Sequence, residues 1–151
     1  MKAIKISVFV FLISLVKIAA AQEVPLYLQT PLKSDDTVKL ATLVNKDNIN
    51  TCYGKYSVLS DAVRLYAPKC FAWLIAKGAN VNLSCDGYVP PLMHAAKYGH
   101  LDMVKVLVAK GADINYKYDG PTEAIKGHTP LTYAEKFKQT DIADYLRSLK
   151  K

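Results

Sequence analysis

The sequence predicts an all-α solenoid of stacked helix-turn-helix units. Three observations predict it. The chain resembles itself at a period of 33 residues: "FAWLIAKGANVN" (71–82) lies over "VKVLVAKGADIN" (104–115), and Asp86-Gly87 falls on Asp119-Gly120. Within a copy, apolar residues recur at helical spacing and a glycine ends the run, as Met103, Val104, Leu107 and Val108 do before Gly111. One such unit cannot bury its own apolar face, so neighbours must supply the core by stacking.

Residues 1–21 read as a secretory signal peptide. Lys2 and Lys5 form the n-region, "ISVFVFLISLV" (6–16) the apolar h-region, and Ala19 and Ala21 the small residues before a cleavage at Gln22. Lys17 interrupts the run, which speaks against a spanning helix of about 20 apolar residues. Cleavage leaves 130 residues, enough for one domain with a continuous core. It also removes three lysines, so the net charge falls from +7 to +4. The remaining lysines are scattered, without the aromatic interleaving of a nucleic-acid groove.

Residues 22–34 read as an N-terminal capping segment. The repeat region spans 35–151 as about four units: a degenerate one at 35–54, then 55–87, 88–126 and 127–151. In the degenerate unit, Asp36-Thr37-Val38 falls on Asp102-Met103-Val104 at an offset of 66. In the unit 88–126, "PLMHAAKYG" (91–99) is the first helix, with Pro91 near its start and Gly99 past its end. Leu92, Ala95 and Ala96 face inward, and the two alanines keep that helix slim. "LDMVKVLVAKG" (101–111) is the second helix, and "ADINYKYDG" (112–120) carries the chain out and back. The last copy, "GHTPLTYAEKFKQTDIADYL" (127–146), follows an insert, "PTEAIK" (121–126).

These units resemble ankyrin repeats. The resemblance rests on the period, on "PPLMHAAKYGHLDMVKVLVAKGADIN" (90–115) and on "HTPLTYAEKFKQTDIADYL" (128–146). It implies an L-shaped stack of helix pairs with β-turn fingers projecting on one side, and a concave surface formed by the fingers and first helices. There are departures. Met93 stands where the family usually has a histidine that ties units together, Ser57-Val58 replaces the Thr-Pro opening, and Ala67-Pro68 replaces the Gly-His step. The inter-repeat polar network is expected to be thin. Arg147, at a normally apolar position, suits a C-terminal cap.

Little chemistry competes with this reading. No phosphate-binding loop, nucleophile elbow or metal-ligand spacing occurs. His94 has no partner in the local sequence and reads as a packed helix residue. His100 and His128 belong to the repeat pattern, and Asp35-Asp36 reads as helix capping. The expectation is a non-enzyme without cofactor or metal.

The odd cysteine count, Cys52, Cys70 and Cys85, allows one internal pair. The resemblance implies that successive fingers lie side by side, which favours Cys52 with Cys85 at about the 5–6 Å Cα separation a bridge needs. Such a bridge would add about 3 kcal/mol. Cys70 is then free and half-buried on a second helix. A Cys52–Cys70 link or three free thiols are the alternatives.

Tyr53, Tyr56, Tyr88, Tyr116 and Tyr118 all fall in or beside fingers, where tyrosines tend to anchor interfaces. The expected contact patch is Tyr88, Tyr116 and Tyr118 with Pro121, Thr122, Glu123 and Lys126 of the insert, since inserts in repeat arrays map to one face, often the binding face. Alternatively the tyrosines shield the turn backbones and the insert is slack. The expected function is an exported, monomeric protein–protein interaction module in the periplasm of a Gram-negative cell, or secreted. It would bind no nucleic acid and would not insert stably in a membrane. An inhibitor or immunity-type partner of an envelope protein is the specific form. A secreted effector binding a host protein and a periplasmic oxidative-stress factor are the alternatives.

Overall fold

The computed structural model describes residues 24–150; the leader and its cleavage site lie outside the described residues. Four helix pairs follow one another. They are α1 (Leu26–Lys33) with α2 (Thr37–Leu43), α3 (Val58–Arg64) with α4 (Pro68–Ala76), α5 (Pro91–Tyr98) with α6 (Leu101–Ala109), and α7 (Pro130–Lys136) with α8 (Thr140–Ser148). First helices pack on first helices and second on second, which makes a two-layered stack.

Local sequence sets the helix starts. Pro68, Pro91 and Pro130 occupy first-turn positions, where a missing N–H is harmless. The Ser57 side chain accepts from the Ser60 N–H, so it caps α3 in place of the absent Thr-Pro opening. Thr129 and Thr132 form a reciprocal cap on α7. Asp36 caps α2 by accepting from the Lys39 N–H at 2.9 Å. Asp35 reaches across to the next unit and accepts from the N–H groups of Lys69 at 3.1 Å and Cys70 at 2.8 Å, at the start of α4.

The core is continuous through the stack. Leu59, Ala62 and Val63 of α3 lie against Leu92, Ala95 and Ala96 of α5, and Leu74, Leu107 and Leu146 line the second layer, all buried. Small residues on the first helices permit the close stacking, and each buried leucine contributes about 1.5–3 kcal/mol.

The first unit differs from the sequence reading. Each helix pair turns through one residue with positive φ: Asp35 (51°), Tyr66 (50°), Gly99 (80°) and Lys138 (59°). Asp35 therefore corresponds to Gly99 at 64 residues, not 66. The unit is two residues shorter than expected between its second helix and its successor, and α1, inside the segment read as a cap, is its first helix. Likewise Tyr66-Ala67, not Ala67-Pro68, occupies the Gly-His step.

The inter-unit polar ties run through asparagines at the helix exits. Asn50 accepts from the Asn80 N–H and Asn82 from the Asp113 N–H, both at 2.8 Å, and the Asn82 amide donates to the Gly111 carbonyl at 3.0 Å. The last Asn of "NIN" and of "NVN", Asn50 and Asn82, therefore supplies ties between units that the missing histidine does not. The second and third fingers meet at glycine: a Cβ on Gly120 would lie 1.8 Å from the Gly87 carbonyl oxygen and 2.8 Å from the Tyr118 ring. Gly120→Ala is expected to lower stability by about 1–3 kcal/mol, as overpacking does. Urea denaturation measures it, and an unchanged midpoint would contradict the contact.

Candidate partner-binding surface

The first finger is a hairpin of β1 (Cys52–Tyr53) and β2 (Tyr56–Ser57), antiparallel, with Cys52 opposite Ser57 and Tyr53 opposite Tyr56. Gly54, at φ 57°, allows its two-residue turn and puts Lys55 at the tip. The second finger holds a short 3₁₀ turn, Cys85–Gly87, closed by the Ser84 hydroxyl donating to the Tyr88 carbonyl. Cys52 and Cys85 are joined by a disulfide, Cα–Cα 5.5 Å, across the two fingers. The third finger closes on itself: the Tyr118 N–H donates to the His128 carbonyl at 2.9 Å, and the Gly127 N–H to the Tyr118 carbonyl at 2.7 Å.

Between the fingers and the first helices lies a cleft of about 200 Å³. Lys55 and Tyr56 come from the first finger, and Tyr88 and Val89 from the second. His94, Lys97 and Tyr98 line it from one face of α5, at the i, i+3, i+4 spacing that makes helical neighbours. Tyr133 of α7 and Thr122 and Ile125 of the insert complete it.

His94 is the unusual member. It is 5 % exposed, lies between the Tyr56 ring (5.5 Å) and the Tyr98 ring (6.4 Å), and neither ring nitrogen has a hydrogen-bond partner. Burial, reinforced by the Arg64 and Lys97 cations, pushes its imidazole down to about 3, so it is neutral at physiological pH. The cleft's cations rest on aromatic faces: Lys55 is 5.0 Å from the Tyr88 ring and Lys97 5.1 Å from the Tyr98 ring.

A family model of ankyrin repeats (three copies) matches residues 26–118 and again residues 59–151. The chain belongs to the ankyrin-repeat family. A search of curated proteins gave no match. Ankyrin repeats make this chain a protein–protein interaction module of a generally non-enzymatic kind. Among the described residues, no helix is long and apolar enough to cross a membrane. No His, Cys, Asp and Glu cluster there is arranged to hold a metal ion.

The ankyrin fingers redistribute the expected contact residues. Tyr88 and Thr122 line the cleft, and Tyr116 packs half-buried against the cluster of Val89, Met93, Tyr118 and Tyr133. Pro121, Glu123 and Lys126 are exposed on the insert, where Glu123 and Lys126 pair at 2.9 Å. Tyr118 is a correction. It is 0 % exposed, packed with Val89, Met93 and Tyr133, and its hydroxyl accepts from the Thr122 N–H at 3.1 Å. The insert is not slack: it folds over Tyr118 through a 3₁₀ turn, Glu123–Ile125, and the Lys136 ammonium donates to the Ala124 carbonyl at 2.5 Å. Cys70 is fully rather than half-buried, its thiol donates to the Pro31 carbonyl, and burial with the Asp35 carboxylate pushes it up to about 12.

Lys55, Lys97, Tyr98 and Tyr133 went unread as site residues, Tyr56 was read as a finger tyrosine outside the expected patch, and His94 was read only as packing. The signal available was His94, Lys97 and Tyr98 on one helical face beside a finger rich in tyrosine.

Two outcomes follow. Tyr118→Ala should destabilise the fold by about 3–5 kcal/mol, the usual range for a buried aromatic; thermal denaturation reads the loss. His94 binds no proton in the folded state until pH nears 3, whereas in the unfolded chain it does so near 6.5. Between those values the unfolded chain holds the extra proton. Stability therefore falls with falling pH, by about 1.4 kcal/mol per unit from this group alone. The contribution is flat above pH 6.5. Urea midpoints at pH 7, 5 and 4 should converge less steeply for His94→Leu than for the wild type; equal slopes would contradict the burial.

Proposed function

We propose that this chain is an exported, monomeric interaction module that seats one protein partner on its finger face, and that it acts as an inhibitor or immunity-type partner of an envelope protein. The bridge between Cys52 and Cys85 carries the export half of this reading, because disulfides persist in oxidising compartments and are rare in the cytosol. In the loop-entropy model, a bridge spanning 33 residues contributes about 3–4 kcal/mol. A short ankyrin stack gains stability from it mainly where it stays oxidised. The signal-peptide pattern at residues 1–21 agrees with this.

The interaction half rests on the cleft and its rim. Tyrosines at a pocket edge provide large contact area at small entropic cost, and Tyr88 and Tyr116 are placed to do so. The thiol-based protective role loses its support, since a buried Cys70 with a raised pKa is a poor nucleophile.

Expression with the native leader, fractionation, and capture through a C-terminal tag test the proposal. The expected outcome is one stoichiometric envelope protein, co-purifying from the periplasmic fraction with an oxidised Cys52–Cys85 pair. Tyr88→Ala and Tyr116→Ala should weaken that complex while leaving the unfolding free energy within about 1 kcal/mol of the wild type. Recovery chiefly from the medium would favour an effector. Cytoplasmic, fully reduced protein would remove the export reading.

A further inference from the structure

We infer that the cleft between the first two fingers and α5 is a receptor for one carboxylate side chain, an aspartate or glutamate flanked by apolar residues on the partner's docking segment. The inference rests on the protein-partner reading and names the chemistry of its central contact.

Three independent observations converge on the cleft. The first is His94. A buried imidazole with neither nitrogen hydrogen-bonded forfeits the hydration of both, a loss that an apolar residue of similar shape would avoid. Met93 and Ala95 beside it show that this stretch of helix accepts apolar side chains. A neutral imidazole keeps one N–H donor, and an oxygen entering the cleft would satisfy it.

The second is charge. Four ion pairs occur among the described residues, and none includes Lys55 or Lys97. Both lysines are half-buried residues with their ammonium groups over tyrosine faces, while the nearby Arg64 is committed to Asp61 at 2.7 Å. No carboxylate lines the cleft. Two cations outside the ion pairs of the described residues, with the unpartnered His94 in the same lining, complement a single negative group. Two lysines in a concavity do not track a phosphate backbone or a bilayer, which call for an extended basic surface.

The third is size and rigidity. About 200 Å³ is smaller than cavities that enclose drug-sized ligands and suits one side chain. Val89 and Ile125 offer apolar wall for a neighbouring residue. The disulfide holds the wall made by the first two fingers, so little ordering remains for binding to supply.

The test titrates the disulfide-bonded protein with acetyl-Leu-Glu-Leu-amide, acetyl-Leu-Gln-Leu-amide and sodium acetate, following the His94 ring resonances by NMR. The glutamate peptide should move the His94 signals and bind about tenfold more tightly than the glutamine peptide. A Lys55→Gln/Lys97→Gln double variant with an unchanged circular dichroism spectrum should erase the difference. Equal affinity for both peptides, or unmoved His94 signals, would overturn the inference. So would acetate binding as tightly as the glutamate peptide, which marks a site for small anions. In partner capture, a Lys55→Glu/Lys97→Glu variant should lose the protein that the wild type retains. Retention by both would overturn the cleft and leave the interaction reading standing. If the wild type captures nothing, the interaction reading fails alone, because the peptide titration decides the cleft.

Discussion

Every helix pair in this chain leaves an apolar face that only the next pair can cover, and the rest of the molecule depends on that dependence. The alanines of α3 and α5 keep the first layer thin, so the first helices approach closely and their fingers fall into line. A finger has no core of its own. Its position is inherited from the helices beneath it and refined by a few short contacts.

Those contacts differ from finger to finger. The first two are joined covalently, and the second and third by the approach of two backbones at Gly87 and Gly120. The third is closed by Tyr118 under its insert, and asparagines repeat between units where the helices exit. The result is an edge whose side chains are held for recognition while the helices behind it carry the stability. His94 sits at the boundary between these roles. It is part of the packed first layer and also the floor of the cleft, so a polar group is kept where packing alone would favour an apolar one.

Much of the fold was legible because periodicity reports burial. The helix pair at 91–111 was legible from apolar spacing, proline and glycine, and the repeat period carried that reading to the copies on either side. The first unit was harder to read, since a shortening of two residues moved its turn from a glycine onto Asp35, and Asp35 in sequence looks like a cap for the helix that follows it. The candidate site was legible only in outline. Tyr88 and Tyr118 both sit in turn segments, yet one lines a cleft and the other is core, because only the second lies under a folded insert. Nothing local encodes that difference. His94 was likewise ambiguous: the sequence places it beside Lys97 and Tyr98, but Lys55 and Tyr56 of the first finger, which complete the cleft, lie more than 30 positions earlier.

The placement of the disulfide gives the stack a polarity. A solenoid frays from its ends, one unit at a time, because each unit touches only its neighbours. The bridge ties together the two fingers flanking the α3–α4 pair, so that pair cannot peel away freely. The α7–α8 pair at the other end has no such tie and depends on packing against α5 and α6. Amide protons of α7 and α8 are therefore expected to exchange through a local opening that leaves the bridged half folded, and those of α3 and α4 chiefly through global unfolding. The cleft straddles this divide, with one wall on the clamped half and Tyr133 on the end that breathes. Occupying it would couple the two, and the ligand would slow exchange most in the helices farthest from the covalent link.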